Sequence, residues 1–154
     1  MVDKYSNESV TTTSGNAQDA HRGVWSPAKN LVPITWEEFD SMAKALAYKL
    51  QDGGFDSIYA IPRGGLVLGV RLSHLLNLPL VRWVEMNPNT LVVDDISDTG
   101  ETLKHELVVA QYHTKSPMKC ATLHITPWTT HLSDFYVGVK NHKNTHIVYP
   151  WEAQ

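Results

Sequence analysis

The chain has 154 residues, 42% of them hydrophobic, and its 13 Lys and Arg against 16 Asp and Glu give a formal net charge of -3. That suits one domain with a core of ordinary size, and the scattered cations exclude the basic face of a nucleic-acid binder, so no nucleic-acid partner is expected. No apolar run approaches the ~18 residues that cross a bilayer, the N-terminus lacks a basic start followed by an apolar stretch, and the single cysteine, Cys120, has no internal partner. A cytoplasmic protein without a membrane partner is the expectation, with Cys120 buried among its apolar neighbours.

Residues 1–30 are rich in Ser, Thr, Asn and charge, with almost no periodic apolar positions. Such a segment cannot repay its ordering entropy and predicts a polar, flexible arm, which leaves residues 31–154 as the folded domain. Helix begins at ITWEEF: Thr35 caps, Glu38 completes a capping box, and Ile34 with Phe39 forms a hydrophobic staple. Phe39, Met42, Ala43, Leu46, Ala47 and Leu50 then recur at helical spacing until Gly53 and Gly54 stop it. A strand over 57–61, the loop PRGG at 62–65 and a helix over 66–76 carrying Leu68, Leu72, Leu75 and Leu76 follow. Two more strands are predicted at 79–84 and 90–93, joined through Asn87, Pro88 and Asn89. After Gly100 a helix runs through Leu103, Leu107, Val108 and Gln111, then come a strand at 121–125 and short strands at 135–139 and 145–149. Strands that alternate with helices and are apolar throughout predict an α/β fold: a mostly parallel sheet flanked by helices, with ligands beyond the carboxyl ends of its strands.

The stretch LVVDDISDTGETL, residues 91–103, carries the most chemistry. Asp94 and Asp95 stand at the end of a buried strand, and Ser97, Asp98, Thr99, Gly100, Glu101 and Thr102 form the turn into the next helix. Helix-start N–H groups, three hydroxyls and a permissive glycine make a pocket for a phosphate group. The two carboxylates would repel that anion on contact, so they accept hydrogen bonds from hydroxyls or hold a divalent cation. Sugar hydroxyls plus a terminal phosphate describe a phosphorylated ribose. Read singly, each residue is also what commonly ends a strand or caps a helix; the constellation is what points to a ligand. A nucleotide P-loop and a GxGxxG fingerprint are both absent, and an acidic pair this far along the chain does not suit a receiver domain.

LVVDDISDTGETL resembles the phosphoribosyl-diphosphate signature of the type I phosphoribosyltransferases. AIPRGGLVLGVRLSHLLNLPL is similar to that family's diphosphate loop and following helix, and VYPWE to the tail of its 6-oxopurine branch, the likeness running from about Trp36 to Glu152. The resemblance implies the type I fold with a small C-terminal hood, and transfer of phosphoribosyl from 5-phosphoribosyl 1-diphosphate to a purine such as hypoxanthine, xanthine or guanine. It implies Asp94 and Asp95 on the ribose hydroxyls, Asp95 also near Mg2+, with Asp94 beside it. Asp98, Thr99, Gly100, Glu101 and Thr102 would wrap the 5-phosphate together with Ser97, and Arg63 and Gly64 would contact the diphosphate through a cis peptide at Pro62–Arg63. Asp98 is implied as general acid or base near the purine N7, with Arg63 the second catalytic residue, and the active form as a homodimer.

Two features depart from the pattern. The purine branch carries a long mobile loop before the acidic pair, whereas only residues 81–90 fill that interval here. Either another segment shields the site, the N-terminal arm or a partner subunit among the candidates, or catalysis is slow or absent, which would leave a nucleotide-binding regulatory module. In LHITPW, Thr126 stands where those enzymes place a lysine against the purine O6, and His146 where an aromatic stacks on the base, with Ile147 offering backbone groups. A phosphoribosyltransferase for another base therefore stays open. The histidines form no zinc set, and Trp25, Trp36, Trp83, Trp128 and Trp151 are expected as core and interface fillers.

Overall fold

The computed structural model describes residues 30–152, so the expected arm lies outside the described residues except for Asn30. In chain order the elements are β1 (Asn30–Pro33), α1 (Trp36–Leu50), β2 (Ser57–Ala60), α2 (Gly64–Leu76), β3 (Thr90–Ser97), α3 (Glu101–Thr114), β4 (Lys119–Ile125), β5 (Phe135–Val139) and β6 (Thr145–Val148). A parallel four-stranded sheet has the order β2-β3-β4-β5, and β1 pairs in parallel with β6 as a separate two-stranded unit. The α/β expectation and the small hood are thus both present. Among the described residues no helix is long and apolar enough to cross a membrane.

Alternation along the strands divides the core between the faces of the sheet. Leu91 and Val93 of β3 join Ile58, Leu68, Leu72 and the α1 residues Phe39, Ala43, Leu46 and Leu50 on one side. Val92 and Cys120 join Leu103 and Ala110 of α3 on the other. The thiol of Cys120 is enclosed there, lies 2.9 Å from the Leu132 carbonyl, and is pushed by burial up to about 11, so it behaves as a small hydrophobe.

The start of α1 is fixed locally. Thr35 N–H donates to Glu38 Oε2 at 2.8 Å, Glu38 N–H donates to Thr35 Oγ1 at 3.1 Å, and Ile34 and Phe39 are buried in one cluster. Thr35→Ala is expected to cost about 1 kcal/mol of stability, read from urea unfolding.

Four expectations are corrected. Residues 79–84 do not form a strand: only Leu80 bridges Ile58, and the Arg82 backbone N–H and guanidinium both donate to the Glu85 carboxylate, winding Trp83–Glu85 into a 3-10 turn. The strand expected at 90–93 continues to Ser97, because β4 offers partners as far as Ile125, with Asp94 opposite Thr122 and Ser97 opposite Ile125. The acidic pair therefore lies within the strand. α2 starts at Gly64, two residues early, and on α3 the expected apolar position Val108 is 60% exposed, Ala110 being the buried residue instead.

Leu80 also settles where the chain reverses. From β2 the chain crosses outward to the Leu80 edge, then returns past β2 to lay down β3 on its other side. The connections after β2 and β3 leave in opposite directions there, which opens a crevice beyond their carboxyl ends.

Candidate active site

That crevice gathers most of the expected site residues. The turn after β2 carries Arg63, exposed, and Gly64, and the Pro62–Arg63 peptide is cis as the resemblance implied. A Cβ on Gly64 would land on the Asp95 carboxylate, so the PRGG turn and the acidic pair are in direct contact.

Asp94 is 8% exposed, Asp95 more open. Each carboxylate is fixed by the next backbone N–H: Asp95 N donates to Asp94 Oδ1 at 2.9 Å and Ile96 N to Asp95 Oδ1 at 2.8 Å. Burial, and then the charge of Asp95, push Asp94 up from 3.8 to about 8. Burial also raises Asp95, against a hydrogen bond from Asp94 that lowers it, while Glu152 adds a like charge. Burial thus disfavours a double negative charge on the pair, which a cation or hydroxyl donors would relieve. Behind it, the Tyr149 hydroxyl donates to the Asp95 carbonyl at 3.1 Å and lies 2.8 Å from Nδ1 of the buried His124.

The turn from β3 into α3 has the form of an anion cradle. Gly100 sits at φ 83, a left-handed conformation that favours glycine, and a Cβ there would strike the Leu132 side chain. Neither α2 nor α3 has a side-chain cap, whereas α1 has a full capping box. Among the described residues Ser97 Oγ is the buried side-chain polar atom without a hydrogen-bond partner, and it faces Gly100. The nearby Thr99 hydroxyl is 3.4 Å from Glu101 N, and Glu101 and Thr102 are exposed at the first turn. Helix-start donors and an orphan hydroxyl beside a left-handed glycine together suit a phosphate.

Asp98 is held from three directions. Its carbonyl accepts from Thr126 Oγ1 at 3.0 Å and Trp128 Nε1 at 2.9 Å, and its carboxylate pairs with Lys140 Nζ at 2.7 Å. The Thr126 hydroxyl is wholly buried, turned to Asp98 and to Thr129 Oγ1 at 2.9 Å. Trp128 is a clamp on this turn rather than a core filler, 39% exposed with the Lys143 ammonium 5.4 Å over its ring. His146 and Ile147 lie on β6: Ile147 is buried in the core, and His146 Nε2 is 3.7 Å from Glu152, the residue that acts on Asp95. Sequence reasoning passed over Lys140, although a lysine closing an apolar strand on the carboxyl edge of a parallel sheet was a readable signal.

The connection expected to be short is also pinned. Met86 is buried, the Trp83 ring lies 4.5 Å from His113, and Asn87 bonds to both Thr90 and Asp56.

No family model matches the chain. The xanthine-guanine phosphoribosyltransferase of Nitratidesulfovibrio vulgaris strain Hildenborough is 27% identical over 150 residues, covering 82% of this chain and 87% of the relative. That of Desulfotalea psychrophila is 28% identical, covering 82% and 89%. Among solved structures, the purine phosphoribosyltransferase of Pyrococcus horikoshii Ot3 is 32% identical and superposes with a TM-score of 0.70 over 80% of this chain and 95% of its own. The xanthine-guanine-hypoxanthine phosphoribosyltransferase of Helicobacter pylori, 20% identical with a TM-score of 0.69, shares the fold. With the acidic pair, the cis turn and the uncapped helix starts meeting at one switch point, this likeness over nearly the whole of a 32% identical relative means that the chain belongs to the type I phosphoribosyltransferases.

Proposed function

We propose that the chain transfers the phosphoribosyl group of 5-phosphoribosyl 1-diphosphate to a ring nitrogen of a free purine, giving a nucleoside monophosphate and diphosphate. The observation that carries this reading is the contact of Gly64 with Asp95, which sets a diphosphate loop against a ribose-binding acidic pair. In this mechanism the bond from ribose C1 to the diphosphate oxygen breaks as the bond to the base nitrogen forms. Asp94 and Asp95 orient the 2- and 3-hydroxyls, the turn of Ser97, Thr99, Gly100, Glu101 and Thr102 fixes the 5-phosphate, and Arg63 with the first N–H groups of α2 receives charge on the leaving diphosphate. Asp98 takes or gives the proton on the base in this reading, which its 46% exposed carboxylate supports.

The donor set fits magnesium. Among the described residues no group of three or more His, Cys, Asp and Glu could cage a metal, and a pair of carboxylates is what binds Mg2+ arriving with substrate phosphates. When bound at Asp95 and Asp94, the ion supplies charge neutralisation to the diphosphate. A homodimer belongs to the same reading, supported by the exposed apolar Leu66, Val70 and Val84. So does a cytoplasmic location, which suits the single buried thiol Cys120.

Purified protein with Mg2+ is expected to consume phosphoribosyl diphosphate with hypoxanthine, xanthine or guanine, and Arg63→Ala to reduce kcat/KM about 100-fold. The pinned connection at 81–89 favours a second reading, a nucleotide-binding regulatory module. Thermal stabilisation by phosphoribosyl diphosphate without turnover of any purine or pyrimidine would select it.

A further inference from the structure

His124 stands between Leu123 and Ile125 on β4, and all three are wholly buried. The fold makes room for its ring: the residue opposite on β5 is Gly138, where a Cβ would come within 2.5 Å of the imidazole Cδ2 and 2.8 Å of Nε2. Burying an imidazole where an aliphatic side chain would pack is costly, so packing alone does not account for it. Its Nδ1 lies 2.8 Å from the hydroxyl of Tyr149, whose ring stacks on Trp151 with centroids 4.7 Å apart and planes 6° from parallel. That hydroxyl has one hydrogen, and it goes to the Asp95 carbonyl at 3.1 Å, because a carbonyl can only accept. The contact with His124 therefore uses the imidazole's hydrogen: Nδ1–H donates to the Tyr149 oxygen.

The other end of this chain of bonds is a break in the regular pairing of β3. β2 reaches only to Val93, and the pairing with β4 passes from Asp94–Thr122 to Ile96–His124. Asp95, between those positions, has both main-chain groups held by side chains: its N–H by Asp94 Oδ1 at 2.9 Å, its carbonyl by Tyr149.

We propose that His124 and Tyr149 are positioning residues of the ribose site, setting the main chain of Asp95 and through it the carboxylate that meets the ribose hydroxyls. The proposal rests on the phosphoribosyl-transfer reading and deepens it. Both side chains are closed off from a ligand, Tyr149 being 1% exposed and His124 not at all. They act through Asp95, whose carboxylate is tied to its own strand by Ile96 N–H at 2.8 Å and turns with it. Without the Tyr149 hydroxyl the Asp95 carbonyl turns to another donor and the carboxylate follows. Without Nδ1–H the hydroxyl loses the bond that aims it.

Calorimetric titration of the full chain with inosine monophosphate and with its 2′,3′-dideoxy analogue isolates the contribution of the ribose hydroxyls. The wild type is expected to prefer the hydroxylated nucleotide about 100-fold. Tyr149→Phe, which keeps the stacked ring, and His124→Leu are each expected to cut that preference about 5- to 10-fold while changing binding of the dideoxy analogue by less than about threefold. His124→Asn, whose amide N–H can stand in for Nδ1–H, should restore most of the preference. Melting curves establish that the variants are folded. Combining Tyr149→Phe with His124→Leu strands no buried polar partner, so that variant should regain stability without regaining the preference. Equal loss for both nucleotides would make the pair structural and overturn the proposal, as would an unchanged preference; either result leaves the transfer reading standing. A wild type that binds magnesium phosphoribosyl diphosphate but is indifferent to the hydroxyls also overturns the proposal alone. A wild type that binds neither nucleotide nor magnesium phosphoribosyl diphosphate sinks both.

Discussion

Replacing Asp94 with asparagine is expected to stabilise the ligand-free protein at pH 8 by about 2–4 kcal/mol while weakening phosphoribosyl-diphosphate binding by about 100-fold. Burial, reinforced by the charge of Asp95, raises the Asp94 carboxyl from 3.8 to about 8. The unfolded chain loses this proton near 3.8 while the folded chain keeps it, so folding is linked to proton uptake across that window. The sign follows directly. Stability contributed by this group is complete below the lower value, falls as pH rises, and levels off above about 8. Asparagine has no proton to lose, and its Oδ1 can still accept from Asp95 N–H, the contact that is 2.9 Å in the wild type. Its amide N–H can replace the donor that protonated Asp94 presents to Asp95. Melting both proteins between about pH 5 and about pH 8.5 should show the variant gaining on the wild type as pH rises; parallel curves would refute the assignment. A residue whose removal strengthens the fold and abolishes binding is one retained for its ligand.

What could be read in advance depended on how local the cause was. The α1 capping box involves neighbours three residues apart, so ITWEEF was sufficient to place it. The acidic pair and the PRGG turn were legible because each site half lies on one short stretch. β1 went unread at the border of the polar segment because NLVP gains strand character only from β6, more than a hundred residues later. The 79–84 strand was overcalled for the converse reason: its apolar pattern is real, yet Arg82 binds Glu85 and turns the backbone away after a single bridge. The Lys140 pairing with Asp98 spans 42 positions: the end of an apolar strand marks the lysine, but no local pattern ties it to Asp98.

The glycines of PRGG separate binding from folding within two adjacent residues. Gly64→Ala is expected to weaken phosphoribosyl-diphosphate binding at least about 100-fold with a stability loss under about 1 kcal/mol. Gly65→Ala is expected to destabilise the fold by about 2–3 kcal/mol. Neither prediction concerns helix propensity, because alanine is the better helix former at both positions. A Cβ at Gly64 meets the carboxylate of Asp95, a side chain that can rotate away. Rotation gives up the 2.8 Å bond from Ile96 N–H and carries the carboxylate away from the ribose hydroxyls it is proposed to hold, so the loss is expected to fall on the ligand. A Cβ at Gly65 comes within 2.6 Å of the Val93 carbonyl oxygen and 3.0 Å of Asp94 Cα, backbone atoms of a strand paired on both sides. Those atoms cannot yield without breaking the ladder, so α2 must lift from β3 and the apolar contacts of Leu68 and Leu72 loosen with it. Urea unfolding and calorimetric titration on the two variants should give opposite rankings. Equal effects on both quantities would mean that loop and sheet move as one body and that the contact between Gly64 and Asp95 does not set the ligand geometry.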